Sequence, residues 1–277
     1  VAQDRLSEKR LFGKLHIPTN RYAPVDSARQ LERAFGQIGP GVLKTRRLGY
    51  DGKGQYRVAS RDDLTPAFAA LGGVPLLYEE FVPFDHEVSI IGARSTRGEI
   101  AIYPLNGNLH TQGILRLTRA PWGTPALARA AARHLKRVLV HFRYSGVLTI
   151  EFFVRRGRLI ANEMAPRVHN SGHWTIEGAE TSQFENHLRA ILGMPLGSTR
   201  LRGHAAMVNL VGELPGREMA LGVPGLHWHD YGKSPRPGRK LGHCTLIEGT
   251  AAGRDRRLRA LLPRLAPDVR LSFPGSG

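Results

Sequence analysis

Alternating apolar and polar positions near the middle of the chain predict a β-hairpin. Residues 147–154 alternate β-branched and aromatic side chains with others, and residues 159–165 are again largely apolar. Between them, Arg-Arg-Gly-Arg contains Gly157, which can take the positive φ of a tight turn. With Gly157 at the centre, Glu151 is expected opposite Glu163, with Cβ atoms about 5 Å apart.

Two carboxylates so close repel each other unless a proton or a cation lies between them. Paired oxygen ligands suit magnesium, which also takes substrate phosphates. The alternative is a solvent-exposed face on which each carboxylate pairs with an arginine; the apolar flanks favour the metal. The polar run after Glu163 contains Arg167, His169, Asn170 and His173 and does not suit a core. Arg167 offers a planar fork for a carboxylate or phosphate.

The remaining pattern mixes helices and strands. Helices are predicted at residues 4–15, 28–36, 62–70, 125–141 and 181–192, and strands at 41–45, 56–59, 74–82, 87–93 and 99–104. In the last helix, Phe184, Leu188 and Ile191 are expected to face inward. Residues 108–114 are interpreted as a polar loop, and the chain from residue 196 as short strands and loops.

A glycine-rich segment, Gly49–Gln55, lies between two predicted strands and follows Lys44. Glycines allow backbone N–H groups to approach phosphates. Taken alone, the segment is more typical of an ordinary hairpin loop, because Asp-Gly is a strong turn signal. A lysine, mobile glycines and two carboxylates together are typical of a nucleoside triphosphate site.

Composition narrows the function classes. The 277 residues carry a formal net charge of +17, which attracts polyanions. The arginines are spread along the chain, so nucleic acid is not the expected partner. The sequence contains no apolar run of membrane-spanning length, its opening residues lead us to expect no secretory leader, and its single cysteine fits a cytoplasmic protein.

Several longer strings resemble the ATP-grasp superfamily and, within it, the 5-(carboxyamino)imidazole ribonucleotide synthases. The matching strings are DRLSEK, LKTRRLGYDGKGQ, EEFVPFDHEVSII, YPLNGNLHTQGIL, EFFV, NEMAPRVHNSGHWTIEGAETSQFENHLRAILG and HWHDYGKSPRPGRKLGH. They cover nearly the whole chain in the order of the family, and NEMAPRVHNSGHWT is especially specific.

The resemblance implies an α+β, ATP-grasp fold, in which two α+β lobes grip ATP, with a small C-terminal β-rich region. Residues 1–16 would be a connecting helix, 17–83 the small lobe, 84–195 the large lobe and 196–277 the C-terminal region. The implied reaction is ATP- and bicarbonate-dependent carboxylation of 5-aminoimidazole ribonucleotide through carboxyphosphate, in de novo purine biosynthesis. Magnesium or manganese would be the metal, and the protein would be a homodimer.

The resemblance also assigns residues. ATP would be bound by Arg5, Lys44, Gly49, Tyr50, Asp51, Gly52, Lys53, Gly54, Gln55, Glu79, Glu80, Phe81, Val82, Glu87, His110, Asn162 and Glu163. Glu151 and Glu163 would bind the metal. Asp51 would approach the amine of the ribonucleotide, and Arg167 would face bicarbonate or carboxyphosphate. The other substrate-binding residues would be His169, Asn170, Lys233, Arg236, Arg239 and Lys240.

Two departures accompany the resemblance. Family members begin with a Rossmann-like domain that helps to hold the ribonucleotide, and no string here matches it; we expect it to be cut off or supplied by another chain, and activity to depend on it. Many ATP-grasp proteins also have an Asn ligand where this chain has Ala165. Two alternatives stay open: an ATP-grasp carboxylate–amine ligase with another acceptor, and a non-catalytic basic module that binds nucleotides or nucleic acid.

Overall fold

The structure is a computed structural model that describes residues 1–49 and 54–269. The helices are α1 Arg5–Lys14, α2 Ala28–Ile38, α3 Leu64–Leu71, α4 Pro125–Phe142, α5 Thr175–Gly178, α6 Gln183–Ile191, α7 Arg217–Leu221 and α8 Ala251–Leu265. The strands are β1 Tyr22–Val25, β2 Gly41–Thr45, β3 Gln55–Val58, β4 Leu76–Glu80, β5 His86–Arg94, β6 Ile100–Ile102, β7 Asn106–Thr111, β8 Ile114–Ala120, β9 Gly146–Arg155, β10 Arg158–Ala165, β11 His204–Val211, β12 Leu226–Asp230 and β13 Lys240–Glu248.

The chain forms two compact units. The first comprises Val1–Glu87 with Ile150–Pro166, and the second comprises Val88–Thr149 with Arg167–Gly277. Strand β9 begins in the second unit and continues into the first. The finer division predicted at residues 16, 83 and 195 stays a prediction. No helix within the described ranges is both long and apolar enough to cross a bilayer.

An antiparallel sheet of order β1–β4–β2–β3 forms the centre of the first unit. Helix α2 begins where the Ser27 hydroxyl accepts the N–H of Gln30, and its apolar residues recur at helical spacing to face the sheet. Gly41 is required in β2, because a Cβ there would lie 2.4 Å from the carbonyl oxygen of Glu79. The close approach keeps β2 tight against β4, which carries candidate site residues.

The second unit contains strands in the order β5–β7–β8–β11–β13–β12, in which the pairs from β7 to β12 are antiparallel, and β6 also pairs with β5. Helix α8 packs on β11 and β13, where Val208, Leu246 and Leu262 are buried. A second apolar cluster surrounds the fully buried Trp174. The start of β13 and the segment before α5 both belong to this unit, and both carry predicted substrate residues.

Three predictions about local structure are wrong. The predicted loop at 108–114 is confined to the turn at residues 112–113, because 108–111 belong to β7 and 114 begins β8; polar side chains there find partners across strands, as Asn108 Oδ1 accepts from Thr118 Oγ1 at 3.1 Å. In α6, Leu188 and Ile191 are exposed, whereas Gln183 and Asn186 are buried and hydrogen-bonded. The tail is not only strands and loops, since α8 is a 15-residue helix.

Candidate active site

The β9–β10 hairpin turns through two residues, Arg156 and Gly157, and both have positive φ. The turn therefore centres between them, which corrects the predicted centre at Gly157. Counting from this turn in a regular hairpin, Glu151 would lie opposite Asn162, and Glu163 would point to the other face.

Strand β10 is irregular at Asn162. This irregularity returns Glu163 to the face that the sequence predicted for it, which is the face of Glu151. Leu159 and Ala161 are buried in alternation, but Asn162 and Glu163 are both half-buried and Met164 is buried again. Consecutive carbonyls of a regular strand point to opposite sides, yet Ala161 and Asn162 both accept hydrogen bonds from one ammonium group. A bulge of this kind shifts the alternation by one residue. Glu163 thus shares the partly exposed face with Glu151.

Helix α1 brings Arg5 to this carboxylate. The Asp4 side chain caps α1 by accepting the N–H of Ser7, and it pairs with Arg46 at 2.7 Å. One residue later, Arg5 Nη1 donates to Glu163 Oε2 at 2.9 Å. The cap therefore fixes the start of the helix that delivers a cation to the predicted metal carboxylate.

A buried charge cluster contains Lys44. Its ammonium lies 3.2 Å from Glu79 Oε2, and Lys9 lies 3.3 Å from the same oxygen. Asn20 also donates to Glu79 at 3.1 Å. Burial alone would raise the pKa of the Glu79 carboxyl, but the two ammonium groups outweigh burial and lower the pKa to about 2. Glu79 is consequently ionised at neutral pH and holds Lys44 in place.

The glycine-rich segment connects β2 to β3. Lys44 pairs with Gln55 across these strands, and Gly54 O accepts the N–H of Thr45 at 2.8 Å. Gly49 O lies 3.5 Å from Arg5 Nη2, and Gly54 has a φ of +68°. The predicted residues Tyr50, Asp51, Gly52 and Lys53 lie outside the described residues. The described ends of the segment nonetheless contact the two cations, since Gly49 lies beside Arg5 and Gln55 pairs with Lys44.

The donor set on the hairpin fits a hard divalent cation. Glu151 and Glu163 supply carboxylate oxygens on one face, and the side-chain Oδ1 of Asn162 is buried without a hydrogen-bond partner. Magnesium favours such oxygen ligands and completes its shell with water and phosphate. A cluster of three or more His, Cys, Asp or Glu residues suited to a metal is absent from residues 1–49 and 54–269. Two carboxylates with substrate phosphates remain consistent with that absence.

The predicted adenine-bordering residues lie at the end of β4 and directly after it. Glu80 pairs with Arg21, Val82 is buried, and the Phe81 ring lies under the Arg57 guanidinium at 4.4 Å. Glu87 is half-buried at the start of β5. The sequence analysis missed a stacked aromatic pair: Phe84 and Phe153 have ring centroids 4.7 Å apart. Phe153 follows Glu151 by two residues in the same strand, so alternation could have placed it on the face of the predicted metal ligands.

The second unit brings together other predicted residues. Burial lowers the pKa of His169 to about 3, and the nearby charges of Arg167 and Lys240 contribute, followed by His173 and His110. His169 is therefore neutral at pH 7 and lies among these groups. Its ring nitrogen Nδ1 lies 2.8 Å from Ser171 Oγ.

Asn170 follows His169 directly, and one residue of the basic segment, Lys240, acts on this cluster. Asn170 exchanges two amide hydrogen bonds with Asn209, at 3.1 and 2.7 Å. Between β12 and β13, Lys233 and Arg236 are exposed, and Arg239 donates to the carbonyl of Ser234 at 3.2 Å. Lys240, at the start of β13, is the basic residue whose charge acts on His169. Lys233 instead lies 5.1 Å from the Tyr231 ring.

A histidine–tyrosine network was missed by the sequence analysis. The Tyr231 hydroxyl lies 2.8 Å from His243 Nδ1 and 3.1 Å from His173 Nδ1. His229 stacks on His243 with centroids 4.3 Å apart and contacts Glu177 at 2.5 Å. The signal was present in the spacing of His229, in β12, and Tyr231, the residue that follows the strand, because an extended chain places residues two apart on one face.

Comparisons with known proteins identify the class. A family model described as ATP-grasp domain matches residues 10–184, and one described as phosphoribosylaminoimidazole carboxylase C-terminal domain matches residues 205–257. The chain is thus an ATP-grasp protein, and the predicted α+β, ATP-grasp fold is confirmed.

Relatives and solved structures narrow the family. The N5-carboxyaminoimidazole ribonucleotide synthase of Pseudomonas aeruginosa is 52% identical over 247 residues, which cover 89% of this chain and 68% of that protein. The Escherichia coli synthase is 38% identical, with 97% and 75% covered. The Thermus thermophilus synthetase structure has a TM-score of 0.92 at 50% identity, covering 98% and 74%. The Aspergillus clavatus synthase, solved with ADP and 5-aminoimidazole ribonucleotide, has a TM-score of 0.89 at 30% identity, covering 96% and 73%. The chain belongs to the N5-carboxyaminoimidazole ribonucleotide synthase family, as its motifs predicted.

Proposed function

We propose that this chain carboxylates 5-aminoimidazole ribonucleotide to 5-(carboxyamino)imidazole ribonucleotide, using ATP and bicarbonate, in de novo purine biosynthesis. The observation that carries the proposal is the juxtaposition of Arg5, Lys44 and Glu163 in the first unit, where Arg5 contacts both Glu163 and the glycine-rich segment. Family membership narrows the acceptor to the ribonucleotide.

The first unit would hold ATP and its metal. Glu151 and Glu163, with Asn162 beside them, would hold magnesium, or manganese in its place; bound metal would neutralise phosphate charge. Lys44 and Arg5 would contact the phosphates and offset the charge that builds on the γ-phosphoryl group.

The residues around the adenosine moiety are assigned as follows. The β4 end, from Glu79 to Val82, would border the adenine, and Glu87 would contact the ribose. The stacked Phe84 and Phe153 rings support an aromatic contact with the purine. His110 would lie near the nucleotide.

The chemistry would proceed through carboxyphosphate. A bicarbonate oxygen attacks the γ-phosphorus, and ADP leaves. Carboxyphosphate then breaks down to carbon dioxide and phosphate. The ribonucleotide amine adds to carbon dioxide through nitrogen and loses a proton, which gives the carbamate. Arg167 would orient bicarbonate through its planar guanidinium, and Asp51 would approach the amine.

The second unit would bind the ribonucleotide. Lys240 and Arg167 lie near the neutral His169, so this cluster supplies both cations for phosphate and uncharged hydrogen-bonding groups. Asn170 is held by Asn209 and would add an amide contact. Lys233, Arg236 and Arg239 would extend the basic surface toward the phosphate.

We also propose a cytoplasmic homodimer. The exposed apolar side chains Leu188, Ile191, Leu192 and Met194 lie together at the end of α6 and support a contact surface. Light scattering should give twice the chain mass, and Leu192→Glu should shift it toward the monomer. A monomeric wild-type protein would contradict this assignment.

The test of function is ADP release with magnesium and bicarbonate, with and without 5-aminoimidazole ribonucleotide. We expect the ribonucleotide to stimulate release and the carbamate to form in equal amount. Stimulation by another amine from an acceptor panel, but not by the ribonucleotide, would overturn the proposed acceptor. Salt-sensitive nucleic-acid binding without ATP hydrolysis would overturn the enzymatic assignment.

A further inference from the structure

One face of α1 contacts β10 around Glu163. Arg5, Glu8 and Lys9 are spaced i, i+3 and i+4, so they share a face of the helix. Arg5 donates to the Glu163 carboxylate itself. Glu8 Oε1 accepts the N–H of Met164, the residue after Glu163. Lys9 contacts the carbonyl groups of Ala161 and Asn162, the two residues before Glu163. Helix α1 therefore contacts the predicted metal ligand Glu163 and also the residues immediately before and after it in β10.

The Lys9 ammonium is almost completely buried and is surrounded by oxygen atoms. Its Nζ donates to Asn20 Oδ1 at 2.9 Å, to Asn162 O at 3.0 Å and to Ala161 O at 3.1 Å. Glu79 Oε2 lies 3.3 Å away. The three N–H groups are satisfied, which is what a buried ammonium requires.

The two backbone carbonyls give this lysine a geometric effect. Successive carbonyls diverge in a regular strand, so one cation that binds both stabilises the bulge at Asn162. The bulge is what turns Glu163 onto the face of Glu151. If the carbonyls were released and the strand became regular, Glu163 would move to the opposite face.

We propose that Lys9 is a positioning residue for the metal and phosphate site, which acts by holding the β10 bulge and so aiming Glu163. The inference rests on the proposed function in one respect, the assignment of Glu163 as a metal ligand. Lys9 contacts the backbone that carries the ligand, and groups in this position commonly change metal affinity by about 10- to 100-fold.

The test compares Lys9→Met with Lys14→Met, which removes an exposed lysine from the same helix. Binding of Mn²⁺ in the presence of ADP is measured by electron paramagnetic resonance, and metal-free ADP binding by calorimetry. We expect Lys9→Met to weaken Mn²⁺ binding roughly 10- to 100-fold with little change in metal-free ADP binding, and to raise the Mg²⁺ concentration for half-maximal turnover but not the KM for the ribonucleotide. Lys14→Met should match wild type throughout.

Two further variants keep the result decisive. Lys9→Gln retains two N–H donors for the carbonyls, so we expect a smaller loss than in Lys9→Met; this variant replaces Lys9→Met if the latter does not fold. Glu163→Gln calibrates the assay. Unchanged Mn²⁺ affinity in Glu163→Gln would overturn the metal assignment itself. Loss in Glu163→Gln with wild-type affinity in the folded Lys9 variant would overturn the positioning role alone, as would equal loss of metal-free ADP binding.

Discussion

Glu79→Gln should destabilise the first unit strongly. The carboxylate is shared by Lys9 and Lys44, and all three groups are buried. A carboxyl whose pKa falls from 4.5 to about 2 on folding contributes about 3 kcal/mol at pH 7. Removing one partner from a buried charge pair costs about 3–5 kcal/mol, which agrees. We therefore expect a loss of about 3 kcal/mol, because the variant leaves two ammonium groups facing a neutral amide.

Hydrogen exchange can measure this loss locally. Under conditions where exchange reports opening equilibria, about 3 kcal/mol corresponds to roughly 100-fold faster exchange in peptides that contain β2 and β4. Glu80→Gln is the matched control, since its partner Arg21 is 60% exposed and such pairs contribute about 1 kcal/mol or less.

The pH dependence supplies a second check on Glu79. Because its folded pKa is lowered, its stabilising effect is complete above pH 4.5 and is lost as pH falls toward 2. The difference between wild type and Glu79→Gln should shrink over that range. Exchange in β2 and β4 within about threefold of the Glu80→Gln control at pH 7 would refute the account of the buried cluster.

Three other predictions follow from the site. Glu163→Gln should lower magnesium-dependent ATP hydrolysis at least about 100-fold, and Arg158→Gln on the same strand should not; equal rates in steady-state assays would contradict the metal assignment. Burial lowers the pKa of His173 to about 4 and of His243 to about 3, so folding excludes protons that the unfolded chain binds below about pH 6.5. Stability should fall from pH 6.5 toward 4, by about 1.4 kcal/mol per pH unit for each histidine, and His243→Asn should flatten the slope. The tryptophans at 122, 174 and 228 all lie in the second unit, so their fluorescence reports this unfolding. Tyr231→Phe should cost about 1–2 kcal/mol in the same assay because it breaks the link between His173 and His243, and an unchanged midpoint would exclude that link.

Local signals explain which elements could be predicted. Helix α2 combined a serine cap with apolar residues at helical spacing, and the structure confirms it. Strand β7 could not be found in this way, because its residues Asn106 and Asn108 are polar and disfavour strands in isolation. Their side chains bond to Ser89 and Thr118 across the sheet, and such tertiary partners leave no trace in local propensity.

The prediction of which side chains of α6 are buried failed for a related reason. Apolar periodicity placed Leu188 inward, but Asn186 is the buried residue because its amide accepts the N–H of Gly197 and donates to the Tyr103 hydroxyl. Tyr103 lies in a distant segment, and Gly197 lies in the loop that follows the helix. A periodicity argument assumes that burial follows apolarity, and it fails wherever a polar side chain satisfies the backbone of a neighbouring loop.

The candidate site likewise contains residues that the sequence could indicate and residues that it could not. The carboxylates of the hairpin were visible because Glu151 and Glu163 interrupt apolar strands. Lys9 was not, since it resembles any helical lysine, and its role depends on a bulge in β10, 152 residues away in the sequence. The predicted register gave the correct shared face by an incorrect route, because the turn and the bulge each shift the hairpin by one residue.

The two units stabilise their buried polar groups in different ways, and each way suits the ligand proposed for that unit. The first uses ions: Glu79 shared by Lys9 and Lys44, and Glu163 paired with Arg5. Fixed charges suit a metal ion and a polyphosphate, whose own charges must be balanced. The second keeps His169 neutral beside Arg167 and Lys240. Had burial left this imidazole protonated, a third cation would compete for the single phosphate of a ribonucleotide. Under the proposed function, a neutral ring instead leaves phosphate recognition to Arg167 and Lys240 and adds no competing charge.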